Sequence, residues 1–178
     1  MSTVKETTST REAFAELYEE FLPRVFRYIR YRINSLEVTE DLTSGVFEKA
    51  LTNFSKYSSD KSSFSTWIFT IARNTVIDYY RVRGKRQTVS LEKSEIEISS
   101  QESTPDEAVE KQEEREKLKK CISQLSRDEQ ELISLKFGSG LNNRQIAGVT
   151  GLSESNVGTR LYRAIRKLRD SFPEAGSA

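Results

Sequence analysis

The sequence contains no histidine and a single cysteine, Cys121, among 178 residues. The missing histidines exclude histidine general bases, Ser–His or Cys–His catalytic pairs and histidine-liganded metals. One thiol can form neither an internal disulfide nor a four-thiolate zinc site, and we interpret Cys121 as a small core residue. No glycine-rich phosphate loop is present. We therefore expect no catalytic residue, no metal and no cofactor, and we do not expect an enzyme.

Glycine and proline are also scarce, with 8 and 3 residues. The alternation of β-branched residues that strands require is hardly found, so the composition favours an all-α fold. The sequence has no apolar run of about eighteen residues, the length that a transmembrane helix needs. The N-terminal residues "MSTVKETTST" lack the apolar centre of a signal peptide. We therefore expect a cytoplasmic protein.

Charge is balanced overall at +1, but it is segregated along the chain. Residues 73–86 carry five basic side chains and one acid, and residues 144–169 carry six and one. Between them, residues 92–116 carry ten acids and three bases. Two basic segments on either side of an acidic one are the pattern of a chain that touches a polyanion at two places.

Apolar residues recur at helical spacing in two blocks, which predicts two small helical bundles joined by a flexible linker. The predicted divisions are a disordered tail at 1–9, a bundle at 10–86, the linker at 87–104, a second bundle at 105–172 and a tail at 173–178. Ser9 and Glu12 have the spacing of a capping box that opens the first helix, and Pro23 is expected to kink or restart it. The inward positions predicted for the first two helices are Phe14, Leu17, Tyr18, Phe21, Val25, Phe26, Ile29 and Ile33, then Leu42, Val46, Phe47, Ala50, Leu51 and Phe54.

The second bundle begins with a helix predicted from Pro105 to about Gln124. Ser126 and Glu129 form a further capping-box pattern and start a helix that carries Leu132, Ile133, Leu135 and Phe137. The segment "GSG" ends it. We therefore expect the C-terminal motif to follow from residue 141.

The C-terminal motif "LNNRQIAGVTGLSESNVGTRLYRAIRKLR" has the layout of a helix-turn-helix. A short helix is predicted from Asn143 to Val149, Gly151 supplies the turn, and Ser153 caps the next helix. On that helix Val157, Leu161, Ala164 and Leu168 form one narrow apolar stripe. A polar, basic face lies opposite, and hydroxyl, amide and guanidinium groups are the ones that read base edges and hold phosphates.

A solvated surface helix would be the plainer interpretation of one basic helix. Here the preceding helix, the turn glycine and the cap all agree, which favours DNA binding. The predicted DNA contacts are Lys136, Arg144, Ser155, Asn156, Thr159, Arg160, Tyr162, Arg163 and Arg166.

Three motifs in this order, "EDLTSGVFEKAL", "FSTWIFTIARNTVIDYYR" and "LSESNVGTRLYRAIRKLR", resemble the extracytoplasmic-function (group IV) sigma factors of the sigma-70 family. The resemblance runs from about Glu12 to Arg169, apart from the linker. It implies sigma regions 2 and 4, binding to core RNA polymerase, promoter recognition and promoter melting without nucleotide hydrolysis. An anti-sigma factor is a common partner in the family, and nothing in this sequence encodes its identity.

The first motif implies a contact with the clamp helices of the polymerase β′ subunit. The residues that carry over are Asp41, Leu42, Ser44 and Phe47, and the helical pattern places Asp41, Ser44 and Glu48 on an outward polar strip. The family often has Gln at the position of Ser44, and Gly45 lowers helix propensity beside it. From the residues alone, an ordinary solvated face is the preferred interpretation of Asp41 and Glu48.

The recognition helix of region 4 reads the minus-thirty-five element in the family. The matching positions are Thr159, Tyr162 and Arg163, with Lys136 as a backbone contact. Gly158 departs from the pattern, in which Lys or Arg is common. The family also touches the flap tip of the β subunit through region 4, for which Leu132, Leu135 and Phe137 are candidates; a core role is equally open for each.

Region 2 captures flipped bases of the minus-ten element in the family. In this sequence most aromatic residues of the third helix are expected in the core, and a narrow polar strip remains, formed by Thr70, Arg73, Asn74, Ile77 and Arg81. We expect Asn74 to read a base edge and Arg73 and Arg81 to hold the backbone. Tyr57 is either the aromatic residue of the base pocket or a cap on the bundle, and Trp67 serves either packing or contact with the duplex edge.

Two further functions compete with a sigma factor. A DNA-binding regulator with an N-terminal helical interaction domain would need only the C-terminal motif. A purely structural helical adaptor would leave both basic segments unexplained.

Overall fold

A computed structural model describes residues 2–89, 117–118 and 120–171 of the chain. All regular structure in these residues is helical, which confirms the all-α prediction. The elements are α1 (Ser2–Arg32), α2 (Leu36–Asn53), a 3-10 turn (Phe54–Lys56), α3 (Phe64–Val89), α4 (Arg127–Ile133), a π-helical turn (Ser134–Gly138), α5 (Asn143–Thr150) and α6 (Glu154–Ser171). Within the described ranges no helix is long and apolar enough to cross a membrane.

Helices α1, α2 and α3 form the N-terminal bundle, and their apolar faces pack against one another to form its core. Val25, Ile29, Val46, Ala50 and Ile68 are completely buried in it. Ser35 caps α2 by accepting a hydrogen bond from the amide of residue 38. The packing of α3 against α2 also positions the candidate pocket that is described below.

Helix α1 differs from the prediction at its start and at Pro23. It begins at Ser2 and not at Ser9, so residues 2–9 are helical where a disordered tail was expected. It also continues through Pro23 without restarting. Extending a helix that has already nucleated costs little per residue, and Phe21 and Val25 are buried in the same core on either side of the proline. Tertiary packing therefore outweighs the hydrogen bond that Pro23 cannot donate.

Several core assignments also change. Leu51 was expected inward but is 55% exposed, and Phe26 is only half-buried. Tyr28, which the sequence pattern did not select, is completely buried. The reason lies in the partners of α1, because the C-terminal part of the chain covers the side of the helix that carries Tyr28.

Helices α4, α5 and α6 form the C-terminal bundle. The capping box of Ser126 and Glu129 is present at the start of α4. Gly151 ends α5 with φ of 77°, the left-handed backbone expected of the turn residue. The Ser153 hydroxyl accepts a hydrogen bond from the amide of Asn156 at 3.2 Å and so caps α6 as predicted. Of the helix predicted at 105–124, residues 117–118 and 120–123 are helical, and the rest lies outside the described residues, as does the linker from residue 90 to 104.

The two bundles pack directly against each other and share one continuous buried core. The π-helical turn lies on α1, where a Cβ at Gly138 would stand 3.2 Å from Cα of Tyr28. The Arg24 guanidinium donates to the carbonyl of Ser139 at 2.9 Å. Helix α5 lies along α3, where Gln145 donates to the Ser65 hydroxyl at 2.8 Å. Two bundles were predicted, but their direct contact was not.

Candidate nucleic-acid interface

Helix α6 separates an apolar stripe from a polar face. Val157, Leu161 and Ala164 are buried, and Leu168 is partly buried against the same core. On the opposite side the side chains of six predicted DNA contacts are exposed: Ser155, Asn156, Thr159, Tyr162, Arg163 and Arg166. Tyr162 is 69% exposed. Exposing an aromatic ring to water is unfavourable, and the exposed ring is free to contact a partner.

Neighbouring groups hold some of the cations on this face. Arg160 donates to the side chain of Asn156 at 3.0 Å and lies 3.7 Å from a carboxylate oxygen of Asp128. Arg166 lies 4.0 Å from Asp170, a separation at which an exposed pair contributes little. Within the described ranges, Arg163 makes no side-chain hydrogen bond or ion pair. Its guanidinium is therefore available for bidentate contact with guanine or phosphate.

The scaffold of this face is fixed by its own hydrogen bonds. Asn142 and Gln145 form a reciprocal capping box at the start of α5, which the sequence analysis missed although its N-x-x-Q spacing shows it. Lys167 of α6 donates to Glu129 of α4 at 2.6 Å. This hydrogen bond and that from the amide of Ser126 hold the pKa of the Glu129 carboxyl below its usual range. Glu129 therefore joins the first and last helices of the bundle.

Two predicted backbone contacts flank the recognition helix. Lys136 donates to the side-chain oxygen of Asn143 at 3.2 Å and is half-buried. Arg144, at the start of α5, is exposed.

A second candidate site is a pocket between α2 and α3. It is lined by Lys49, Asn53, Lys56, Trp67, Ile71, Asn74 and Thr75. Trp67 and Asn74 were both predicted on α3, and the structure brings them together in this pocket. Three further polar lining residues come from α2 and the turn after it, and the sequence analysis missed them: Lys49, Asn53 and Lys56. These three recur at spacings of four and three, a helical strip that could have been recognised as a polar edge. The Lys49 ammonium donates to the Thr75 hydroxyl at 3.0 Å.

Tyr57 and Trp67 belong to one aromatic cluster behind this pocket. Their ring centroids lie 5.1 Å apart, and Tyr57 meets Phe64 edge-on at 5.5 Å. Tyr57 is half-buried and is not among the residues that line this pocket, and its role as base-pocket aromatic or as cap stays a prediction. Trp67 packs in the cluster and also lines the pocket, and its contact with the duplex edge stays a prediction.

The remaining members of the polar strip on α3 are divided between different environments. The Thr70 hydroxyl donates to the carbonyl of Thr66 in its own helix at 2.7 Å. Arg73 is engaged by a carboxylate of α4, Glu131, with two contacts of 3.2 Å. Arg81 is largely exposed and lies 3.0 Å from Asp78. Only Asn74 of this strip faces the pocket, and Arg73 faces the other bundle.

The outward strip of α2 has the predicted form. Asp41, Ser44 and Glu48 are exposed, Leu42 is half-buried and Phe47 is buried. The ring of Phe47 meets that of Tyr18 edge-on at 4.7 Å, which ties it to α1. Leu51 extends this face by one turn as an exposed apolar side chain. The candidate surface for the clamp helices is therefore acidic, with an apolar end.

Of the three candidates for the polymerase flap, Leu132 and Leu135 are buried at 2% and 0% exposure. Phe137 lies in the π-helical turn and is 56% exposed, so it is the one of the three whose side chain a partner can reach.

Among the described residues, no group of three or more acidic, cysteine or histidine side chains is placed to hold a metal ion.

Comparisons with known proteins agree with this architecture. The family description Sigma-70 region 2 matches residues 17–86, and Sigma-70, region 4 matches residues 115–168. The solved structure of the sigma factor RpoE of Bartonella quintana, in complex with the anti-sigma factor NepR, superposes with a TM-score of 0.73 at 23% identity. The alignment covers 90% of this chain and 96% of that one, which shows a shared fold.

Named relatives resemble the chain over almost its whole length. The ECF RNA polymerase sigma factor BldN of Streptomyces coelicolor is 31% identical over 163 residues, 92% of this chain and 61% of the relative. The RNA polymerase sigma factor YlaC of Bacillus subtilis is 28% identical over 93% of this chain and 95% of its own. The match of region 2 argues against a regulator that needs only the C-terminal motif. With both regions present in the expected order, the chain belongs to the sigma-70 family and is an extracytoplasmic-function RNA polymerase sigma factor that directs promoter-specific transcription.

Proposed function

We propose that this sigma factor docks on core RNA polymerase through the outer face of α2 and reads promoters through two separate surfaces. The observation that supports the second point most strongly is the pairing of an exposed polar face on α6 with a basic, tryptophan-lined pocket between α2 and α3. Each surface has the chemistry that one promoter element requires. The subunit itself supplies binding energy and no covalent chemistry.

The face of α6 reads the minus-thirty-five element in the major groove. Thr159, Tyr162 and Arg163 lie close together on the exposed face and contact base edges, while Arg166 and Arg144 hold phosphates on either side. Lys136, which donates to the side-chain oxygen of Asn143, is expected to contact the DNA backbone beside the groove. A bidentate contact from Arg163 to guanine would contribute about 1–3 kcal/mol of discrimination.

The pocket between α2 and α3 receives an unpaired base of the minus-ten element. Trp67 and Ile71 provide the apolar walls, and the amides of Asn53 and Asn74 provide both donors and acceptors for a base edge. Lys49 and Lys56 lie at the rim and neutralise the adjoining phosphates. Unstacking a base costs a few kcal/mol, and capture in such a pocket offsets that cost and promotes melting.

The docking surface on α2 combines Asp41, Ser44 and Glu48 with the exposed Leu51. An acidic strip with an apolar end is complementary to a basic coiled segment, and electrostatic steering would raise the rate of association. Phe137 is the candidate contact for the polymerase flap. We further propose that the protein acts in the cytoplasm and that an anti-sigma factor is among its partners, as NepR is for the sigma factor RpoE of Bartonella quintana.

Reconstituted transcription tests the proposal directly. The purified protein is mixed with core polymerase and a pool of genomic promoter fragments, and the run-off transcripts are sequenced. Promoter-dependent start sites are expected, with a shared upstream and a shared downstream element. Transcription without any such start sites would contradict the proposal.

Variants separate the two reading surfaces. Asn74→Ala should reduce open-complex formation at the promoters found in that experiment and leave duplex binding to the upstream element unchanged. Asn34→Ala is the matched control, because it removes the same uncharged amide from an exposed residue of the N-terminal bundle that does not line the pocket. Equal melting by wild type and Asn74→Ala would remove Asn74 from the proposed pocket.

A further inference from the structure

A buried charge cluster joins the two bundles. Glu131 of α4 is 12% exposed and lies between two arginines of the N-terminal bundle. Its oxygens accept hydrogen bonds from Nε and Nη2 of Arg73 at 3.2 Å each, a bidentate pair. The second arginine, Arg32, is 6% exposed and places Nη1 at 3.6 Å from the same carboxylate. The Glu131 carboxylate thus contacts two arginines of the other bundle.

The surroundings of the cluster strengthen its interactions by excluding water. The Tyr28 hydroxyl is buried beside it without a hydrogen-bond partner among the described residues. The Tyr80 hydroxyl donates to the carbonyl of Arg32, and Arg127 of α4 lies over the Tyr80 ring at 5.6 Å. Charge pairs in such an environment are screened far less by salt than exposed pairs are.

A second contact closes the same side of α3. A Cβ built on Gly148 of α5 would stand 3.0 Å from the methyl carbon of Thr66, so α5 and α3 are in close contact at this point and a side chain at residue 148 would press on Thr66. Gln145 donates to Ser65 beside this point. Thr66, Thr70 and Arg73 follow one another at spacings of four and three, on one face of α3. The C-terminal bundle lies against both ends of this face.

The closed arrangement is incompatible with simultaneous use of both reading surfaces. On B-DNA the minus-thirty-five and minus-ten elements are about 85 Å apart, at roughly 3.4 Å per base pair. A compact body of this chain length is only about 40 Å across. Binding to a whole promoter therefore requires the two bundles to separate, which breaks the contacts of Glu131.

We propose that Glu131 is an autoinhibitory lock, which holds the bundles together and occupies Arg73 in place of a DNA phosphate. The second half of this statement rests on the proposed reading of the minus-ten element and on the backbone contact that the sequence predicts for Arg73 in it. A carboxylate matches the bidentate geometry of a guanidinium as a phosphate does, so the closed protein satisfies Arg73 internally. The exposed face of α6 is not covered by the lock and stays available for duplex DNA.

Two measurements on the full-length protein test the lock. The first is the distance between the bundles, followed by energy transfer between dyes at Ser55→Cys and Arg169→Cys in a Cys121→Ser background. The second is the affinity for a single-stranded oligonucleotide that carries the non-template minus-ten element of a promoter found by run-off sequencing. Binding to duplex upstream element is measured in parallel.

Glu131→Gln should lower the transfer efficiency and tighten binding to the single strand by about tenfold, since it removes the charge from a partly buried bidentate pair. Duplex binding should not change. Glu129→Gln is the matched control, because it makes the same change two residues away on a carboxylate whose cation partner, Lys167, lies in its own bundle. It should alter neither the transfer efficiency nor the affinity for the single strand.

Gly148→Ala crowds the interface without changing a charge and provides an independent variant. The added Cβ meets the methyl group of Thr66, so lower transfer efficiency is expected, and the double variant Gly148→Ala/Thr66→Ser should restore it by removing that methyl group. Unchanged transfer efficiency in folded Glu131→Gln and Gly148→Ala would overturn the lock. Opening in both variants without tighter single-strand binding would uphold the lock and refute the DNA role of Arg73.

Discussion

Gly158 lies inside the recognition helix α6, where glycine lowers helix stability and the backbone conformation does not require it. Helix α6 spans Glu154–Ser171, and the φ of Gly158 is outside the left-handed region. A Cβ built there would have its nearest neighbour, the side-chain nitrogen of Asn143, at 3.6 Å, an ordinary van der Waals contact. Alanine is favoured over glycine in a helix interior by about 1 kcal/mol. We therefore expect Gly158→Ala to raise the free energy of unfolding by about 0.5–1 kcal/mol.

Urea denaturation followed by circular dichroism measures this change. The midpoint should rise while the slope stays constant, because the surface exposed on unfolding hardly changes. Gly151→Ala is the matched control of opposite sign, since Gly151 ends α5 at φ of 77° and alanine there costs roughly 1 kcal/mol. A neutral or destabilising Gly158→Ala, with Gly151→Ala destabilising as expected, would refute the open packing around residue 158 on which the prediction depends.

Three further predictions concern the C-terminal bundle. Arg163→Ala should cost about 1–3 kcal/mol at one position of the upstream element in a binding-site selection, whereas Arg169→Ala should not alter the preference; an unchanged preference at every position would reject a base contact by Arg163. Duplex affinity should fall with salt at a log-log slope of about −4 to −5, because Lys167 is held by Glu129 and about five other cations remain to meet phosphates; a slope near −1 would contradict this count. Folding lowers the pKa of Glu129, so its contribution to stability is present above its ordinary pKa and is lost as the pH falls through the folded-state pKa. Glu129→Gln should therefore flatten the acid limb of the curve of unfolding free energy against pH. An unchanged acid limb would show that the Lys167 contact does not stabilise the fold.

Much of the fold could be predicted from the sequence because the signals are local. The turn at Gly151, the cap at Ser153 and the capping box at Ser126 depend on residues within one helical turn of each other, and all three are present. Spacing likewise identified the buried stripe of α6. Errors arose where distant packing decides. Leu51 has the spacing of a core residue but faces outward, and Tyr28 was overlooked because the surface that covers it comes from the other bundle.

The candidate site shows the same division. Thr159, Tyr162 and Arg163 were selected from one helical face, and that face is exposed. Asn74 was selected from the pattern of α3, but its pocket partners Lys49 and Asn53 belong to another helix and could not be assigned without knowing how α2 and α3 pack. Their roles, like that of the polar strip, remain predictions.

Periodicity, caps and charge patterning in the sequence alone determined that this is an all-α protein with two basic segments, because those properties follow from neighbours within a few residues. The tertiary structure decided which residues pair with the charged side chains of α3 and α6. Arg73 and Glu131 are 58 positions apart, and nothing local pairs them. Only the packing of one bundle on the other brings this arginine and carboxylate within 3.2 Å, in surroundings dry enough for their attraction to matter.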